Sequence, residues 1–430
     1  MPAFLKEGTS GFDASLDRLL SQRAGSMQRV DSQVRAIIED VMAHGDEALV
    51  RYTRQYDRFD ATVATLQVTQ AEIDSAVAAV PDATMRALEL AARRIEAFQS
   101  RHLPADDLYT DGAGAVLGAR WTPIDAAGLY VPGGQAAYPS SVLMNAMPAR
   151  IAGVKRIVMV SPTPGGKINP LVLAAARLAG VHEVYRVGGA QAVAALACGT
   201  SLIRPVDKIV GPGNAWVAEA KRQVFGRVGI DSIAGPSEVL IIADAANNAE
   251  WIAADLMAQA EHDEDAQSIL VTDSEPFARA VSEAVDALLS RLPRAAIARK
   301  SWEAHGGIII VGRLEGAAAI ANRVAPEHLQ VCTASPETIA AGVRHAGAIF
   351  LGAMTPEAIG DYVGGPNHVL PTSGAARFSS GLSAQDFMKR TTILSTPEQS
   401  LQAIGPAAAL LADAEGLGAH ALSVRTRLKP

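Results

Sequence analysis

The segment Arg156–Phe225 reads RIVMVSPTPGGKINPLVLAAARLAGVHEVYRVGGAQAVAALACGTSLIRPVDKIVGPGNAWVAEAKRQVF. Three short apolar runs, Arg156–Val160, Glu183–Val187 and Lys208–Val210, each stop at a Ser-Pro or Gly turn. After them come Pro170–Ala179, Ala190–Ala197 and Asn214–Phe225, Ala-rich stretches of helical length. Strand and helix in alternation predict a parallel sheet with crossover helices. Parallel neighbours need such crossovers, because a tight turn cannot join them.

The pattern restarts after a break near Ala234–Ser237. Strands are expected at Glu238–Ile242, Ser268–Val271, Ile308–Val311, Leu329–Cys332 and Ile349–Leu351. Helices are expected at Ala249–His262, Glu275–Leu289, near Ala317–Ala325 and near Glu337–His345. Upstream, residues 1 to about 105 read as polar helices, with apolar residues three and four apart in Val34–Gly45 and Ala71–Ser100. From Met354 the chain turns rich in Gly, Pro, Ser and Thr and reads as a long functional loop. The segment Ser395–Pro430 is Ala-rich, with Leu417, Ala421, Val424 and Leu428 on one helical face. The expectation is an α/β protein: a helical region 1–120, one α/β unit at 121–236, a second at 237–378, and a helical tail at 379–430.

Composition removes several function classes. The 430 residues are 49% hydrophobic, enough for large cores without covalent staples. Acidic residues outnumber basic ones 45 to 38, for a net charge of −7, which disfavours nucleic acid as a partner. No apolar run approaches the ~20 residues of a membrane span, and MPAFLKEGTS lacks the charged-then-apolar pattern of a secretory leader. Two cysteines, Cys198 and Cys332, exclude a Cys-type zinc site. A soluble cytoplasmic protein is the expectation.

The glycine turns Gly133-Gly134, Gly188-Gly189 and Gly211-Pro212-Gly213 fall where open α/β sheets bind ligands. None completes a dinucleotide fingerprint, since Trp216 stands where a third glycine belongs, and Gly166-Lys167-Ile168 is no NTPase phosphate loop. Structural turns and a non-standard nucleotide site both remain open on spacing alone. Of nine histidines, His44, His102, His182, His305 and His345 read as surface or capping residues. Four keep polar company. Gln259 and His262 are three apart at a helix end, suited to one metal ion or to a solvated face. Glu327-His328 pairs two groups able to do proton chemistry, or marks a turn. Asp361 and His368 share the Gly-rich loop, and Glu415 and His420 share the tail. Such ligands suit Zn²⁺ or Mn²⁺.

Read together, the segments Gly128–Ala149, Val187–Ala195, Val206–Val224, Ala234–Ala243, Ala260–Asp263, Ala325–Val331, Gly360–His368, Ser379–Thr392 and Ala414–His420 resemble the histidinol dehydrogenase family over essentially the whole chain. The resemblance implies two incomplete Rossmann-like units with helical ends. It implies oxidation of L-histidinol to L-histidine through L-histidinal in two NAD-dependent steps. It puts Glu327 and His328 in the catalytic pair, with His328 as base and Glu327 activating water for the aldehyde step. One Zn²⁺ per subunit is implied on Gln259, His262, Asp361 and His420, orienting the substrate's nitrogens. Ser237, Gln259, His262, Glu327, His328, Asp361, His368, Glu415 and His420 fall on substrate-contacting positions, and Tyr130, Gln191 and Asn214 on NAD contacts. A homodimer with shared active sites is implied, Glu415 and His420 acting in trans. The alternatives are a related zinc- and NAD-dependent dehydrogenase of another polar alcohol such as a sulfonated diol, a zinc hydrolase using Glu327, and a non-enzymatic binding protein.

Overall fold

The computed structural model describes residues 2–21, 30–133, 138–233 and 235–429. Gly134 of the first glycine turn and Ala234 at the unit boundary lie outside them. Two parallel sheets form the frame. The first has five strands, ordered across the sheet as Glu183–Tyr185, Arg156–Val160, Ala126–Tyr130, Lys208–Val210 and Gly229–Ile230. Numbered along the chain that is 3-2-1-4-5, the Rossmann order, with its switch point between Ala126–Tyr130 and Lys208–Val210. The second sheet repeats this order with Gly307–Ile310, Gln267–Thr272, Glu238–Ala243, His328–Cys332 and Ala348–Leu351.

Each sheet is buried on both faces, which explains the near-continuous apolar strands. In the first, Leu129, Ile157 and Met159 pack on one side and Tyr130, Val158 and Val160 on the other. In the second, Val239, Ile241 and Cys332 face the helix Ala249–Ala260, while Leu240, Ile242, Leu329 and Val331 face away. Local signals set helix ends. Asn169 caps Pro170–Ala179 by accepting from Leu171 N, Pro170 opens it, and Gly180 closes it at φ 78°.

The terminal segments are mainly helical, with departures from the sequence reading. Ala3–Lys6 is a strand, pairing in parallel with Gly307–Ile310 at the edge of the second sheet. Its period-two burial spans only four residues, too short to stand out beside helical neighbours. Met388–Ser395, expected within the helical tail, is a strand in a three-stranded antiparallel sheet with Val116–Pro123 and Asp107–Thr110. The loop after Met354 contains a helix, Glu357–Tyr362. The helix expected near Glu337–His345 ends at Ala340. The helices Glu398–Ala414 and Gly418–Arg425 pack chiefly on each other.

At the first switch point the turn after Lys208–Val210 is pinned from below. Gly211 N–H donates to Asp231 Oδ2 at 2.7 Å, and Lys221 Nζ donates to Gly211 O at 3.1 Å. Lys221 and Asp231 also pair with each other, their side chains only 3% and 5% exposed. Gly211 sits at φ +111°, where a Cβ would strike Tyr130 O, so glycine is required twice over. Removing one partner of a buried pair strands the other charge. Lys221→Met is therefore expected to destabilise the protein by about 3–5 kcal/mol, read as an earlier urea transition. Adding Asp231→Asn, which removes the stranded charge and keeps an acceptor for Gly211 N–H, is expected to recover most of that loss.

Candidate active site

The second sheet brings its polar residues together at the amino edge of its strands. Open α/β sheets usually bind ligands at the carboxyl edge. Ser237 and Glu238 stand at the start of one central strand, and Glu327 and His328 at the start of its neighbour, with His328 paired to Val239. The helix Ala249–Ala260 runs back along the sheet and ends there, bringing Gln259 and then His262. The helix Glu357–Tyr362 adds Glu357 and Asp361, one turn apart on the same face.

Glu327 and His328 are both nearly enclosed, at 5% and 3% exposed. One residue's backbone holds both. Glu238 N–H donates to Glu327 Oε2 at 2.9 Å, and His328 Nδ1 lies 3.1 Å from Glu238 O. That contact assigns a proton to Nδ1 and leaves Nε2 buried on the Asp361 side of the ring. His328 stands between two carboxylates: Glu357 Oε1 lies 3.6 Å from Nδ1, and Asp361 Oδ1 lies 3.6 Å from Nε2. Burial alone pulls the His328 pKa down, yet Glu357, Glu327 and Asp361 hold it well above the ordinary histidine value. Burial pushes the Glu327 carboxyl up to about 7 and that of Glu357 up to about 8, both against the pull of His328. For Asp361, burial is outweighed by the contact with His328, and its pKa lies below the usual carboxylate value.

Gln259 is fully buried, its Nε2 is 3.4 Å from His262 Nδ1, and its Oε1 has no hydrogen-bond partner among the described residues. An enclosed, unpaired carbonyl oxygen is costly unless something accepts its lone pair. Near it are the His262 imidazole and a cluster of one imidazole and two carboxylates, His328, Glu357 and Asp361, whose ligand atoms lie within 4.8 Å of one another. Three buried or half-buried carboxylates around one imidazole can all be ionised together only if a further positive charge joins them. The donor set of amide oxygen, imidazole nitrogen and carboxylate fits Zn²⁺ or Mn²⁺. Burial keeps the pKa values of His262 and His368 below the ordinary histidine value, so both rings favour the neutral, ligating form.

His368 reaches the site from the far end of the Gly-rich loop. Its Nδ1 meets Asp361 O at 3.0 Å and its Nε2 meets Ser141 Oγ at 3.4 Å. Ser141 lies in the first turn of the helix Pro139–Ala152, which follows the first strand of the first sheet. The carboxyl edge of the first sheet therefore faces the amino edge of the second. Tyr130, Gln191 and Asn214 lie on that carboxyl edge. Tyr130 OH accepts from Gly189 N–H at 3.1 Å, and burial pushes its pKa up to about 12. Gln191 is buried in the first turn of the helix Gly189–Cys198. Asn214 caps the next helix through Trp216 N and Val217 N. Helix N-termini at this edge of a sheet suit the phosphates of a dinucleotide.

Ser237, Gln259, His262, Glu327, His328, Asp361 and His368 are thus gathered at one edge, with the three cofactor candidates on the facing edge. Glu415 and His420 are not: both are exposed on the tail, lining a shallow groove with Leu411, Leu417 and Val424. Two participants escaped the sequence reading. Glu357 carries the signal of lying four residues before Asp361, but that spacing has meaning only on a helix, and the stretch reads as loop. Ser141 carries no signal of its own.

The family model for histidinol dehydrogenase matches residues 20–428. A histidinol dehydrogenase of Cereibacter sphaeroides is 60% identical over 428 residues, covering 100% of this chain and 99% of that protein. One from Gluconobacter oxydans is 59% identical over 425 residues, covering 99% of each. The crystal structure of histidinol dehydrogenase from Elizabethkingia anophelis superposes with a TM-score of 0.94 at 36% identity, covering 99% of this chain and 98% of that one. On its full length and on its fold, the chain belongs to the histidinol dehydrogenase family.

Proposed function

We propose that this oxidoreductase converts L-histidinol to L-histidine through L-histidinal in two NAD-dependent steps. One observation carries the reading: an enclosed imidazole, His328, is held by a backbone carbonyl with Nε2 turned to the Asp361 side, next to a second enclosed base, Glu327. An alcohol carbon gives up hydride only as its hydroxyl proton leaves, and His328 Nε2 is the base for that proton. The aldehyde must then gain water, and Glu327 takes a proton from that water once ionised. The adjacent bases serve successive steps on one held carbon. The high identity to histidinol dehydrogenases favours histidinol over another polar alcohol.

Gln259, His262 and Asp361, joined by His420, would hold Zn²⁺. When bound, the metal orients the substrate's imidazole and amino nitrogens. A cation at Asp361 also offsets the carboxylates that keep a proton on His328, easing its work as base. Ser237, His368 and Glu415 would recognise the polar ends of the substrate. Tyr130, Gln191 and Asn214 would hold NAD, which when bound accepts the hydride. The tail exposes Leu410, Leu411, Leu417 and Leu422, 44% to 68% accessible, alongside Glu415 and His420. Apolar area of this kind calls for cover, and a homodimer whose tails complete the partner's sites supplies it. Among the described residues no helix is long and apolar enough to cross a membrane, and a cytoplasmic location is part of the proposal.

The deciding experiment supplies L-histidinol and NAD⁺ to the purified protein and counts NADH per substrate consumed. Two NADH, with histidine as product, are expected; one NADH with aldehyde released, or none, overturns the reading. Glu327→Gln is expected to slow aldehyde oxidation far more than alcohol oxidation. It should also remove the rise of the aldehyde step as pH climbs through about 7, where the buried carboxyl loses its proton. Equal loss in both steps would mean Glu327 does not activate the water. Mixing inactive His328→Asn and His420→Asn subunits is expected to restore part of the activity, because one of the two mixed sites regains a full residue set. Subunit exchange without any recovery would rule out sharing.

A further inference from the structure

Asp361 lies in the last turn of the helix Glu357–Tyr362, and the loop that follows it leads to His368 with glycines at 364 and 365. Glycines lose more backbone freedom on ordering than any other residue. Something must hold this loop if its two end residues are to stay aimed, since productive sites tolerate only ~0.5 Å of drift. One anchor is local: Asn367 Nδ2 donates to Met144 O at 2.5 Å and Asn367 Oδ1 accepts from Val369 N–H. The other comes from the N-terminal helical layer. Arg94, on the helix Asp82–Ser100, donates through Nε to Val363 O at 2.5 Å and through Nη2 to Gly364 O at 3.1 Å. The next residue, Gly365, is at φ +106°, and a Cβ there would come within 3.0 Å of Arg94 O. Helix and loop are therefore fitted to each other at backbone contact, with the guanidinium fork gripping two successive carbonyls.

We infer that Arg94 is a positioning residue for the site: its fork sets the path of the loop so that Asp361 faces His328 and the metal position while His368 faces Ser141. The inference rests on the proposed roles of Asp361 and His368. The grip depends on shape. Arginine presents several donors in one rigid plane, whereas lysine is a point donor that reaches one carbonyl at a time. The same helix also accepts Ala384 N–H on Gln99 Oε1 at 3.0 Å, so the helix stays seated when Arg94 is changed. The effect of the change then falls on the loop.

The test uses the full-length protein loaded with Zn²⁺. Zinc loss to excess chelator is timed by metal analysis, KM and kcat are measured with L-histidinol, and the melting temperature of the metal-free protein is recorded. Groups that orient metal ligands are worth 10–100-fold in affinity, so Arg94→Ala is expected to lose zinc roughly 10-fold faster and to raise KM. Its metal-free melting temperature should stay close to wild type. Arg94→Lys is expected to fall between the two, and carries the comparison if Arg94→Ala fails to fold. Zinc retention and KM unchanged from wild type would overturn the inference. So would a lowered melting temperature with unchanged zinc loss, which marks a purely structural contact. A wild-type protein that takes up no zinc would overturn the site reading and this inference with it. That outcome appears before any variant is made, so the two failures are distinguishable.

Discussion

The two peptide groups of Glu238 fix the Glu327–His328 pair at the centre of the candidate site. Its N–H binds the Glu327 carboxylate and its C=O binds the His328 ring. A side chain held by another side chain inherits two sets of rotamer freedom. Held by a strand backbone, it inherits almost none. The arrangement exists because two parallel strands pair in one register, His328 beside Val239. A slip of one residue would turn His328 to the opposite face of the sheet, against Leu240 and Ile242 of the apolar core there.

Around this anchor the two α/β units divide the labour. The first presents the carboxyl edge of its sheet, with its switch point, glycine turns and helix N-termini. The second presents its amino edge, where Gln259, Glu327, His328 and Asp361 collect. Using the amino edge is unusual for an open α/β sheet and has a physical logic. The imidazoles and carboxylates of the second unit then face the glycine turns and helix N-termini of the first. The buried carboxylates at this edge are costly in isolation. That cost is tolerated because Glu327 is hydrogen-bonded and His328 sits between Glu357 and Asp361.

Much of the frame was legible from the chain alone. Strands such as Arg156–Val160 and helices such as Pro170–Ala179 declare themselves by apolar runs, Asn-Pro starts and glycine stops. The strand Ala3–Lys6 did not, because an edge strand of four residues is defined by its partner Gly307–Ile310 three hundred residues away. Met388–Ser395 was hidden in the same way, its partner being Val116–Pro123. At the site, His262, His328, Asp361 and His368 stood out by their polar company. Glu357 and Ser141 did not, since each matters only through a residue distant in the chain.

Sequence by itself determined the alternation of strand and helix, the division into two sheet units, the absence of cysteine ligands and the family to which the chain belongs. These follow from local periodicity, composition and ordered motifs. Tertiary structure decided which edge of each sheet is used, that Glu238 holds both bases through its backbone, that Glu357 backs His328, and that Arg94 grips the loop of Asp361 and His368. Those facts depend on strand register and on helix-to-loop contact, and neither is encoded in the spacing of neighbouring residues.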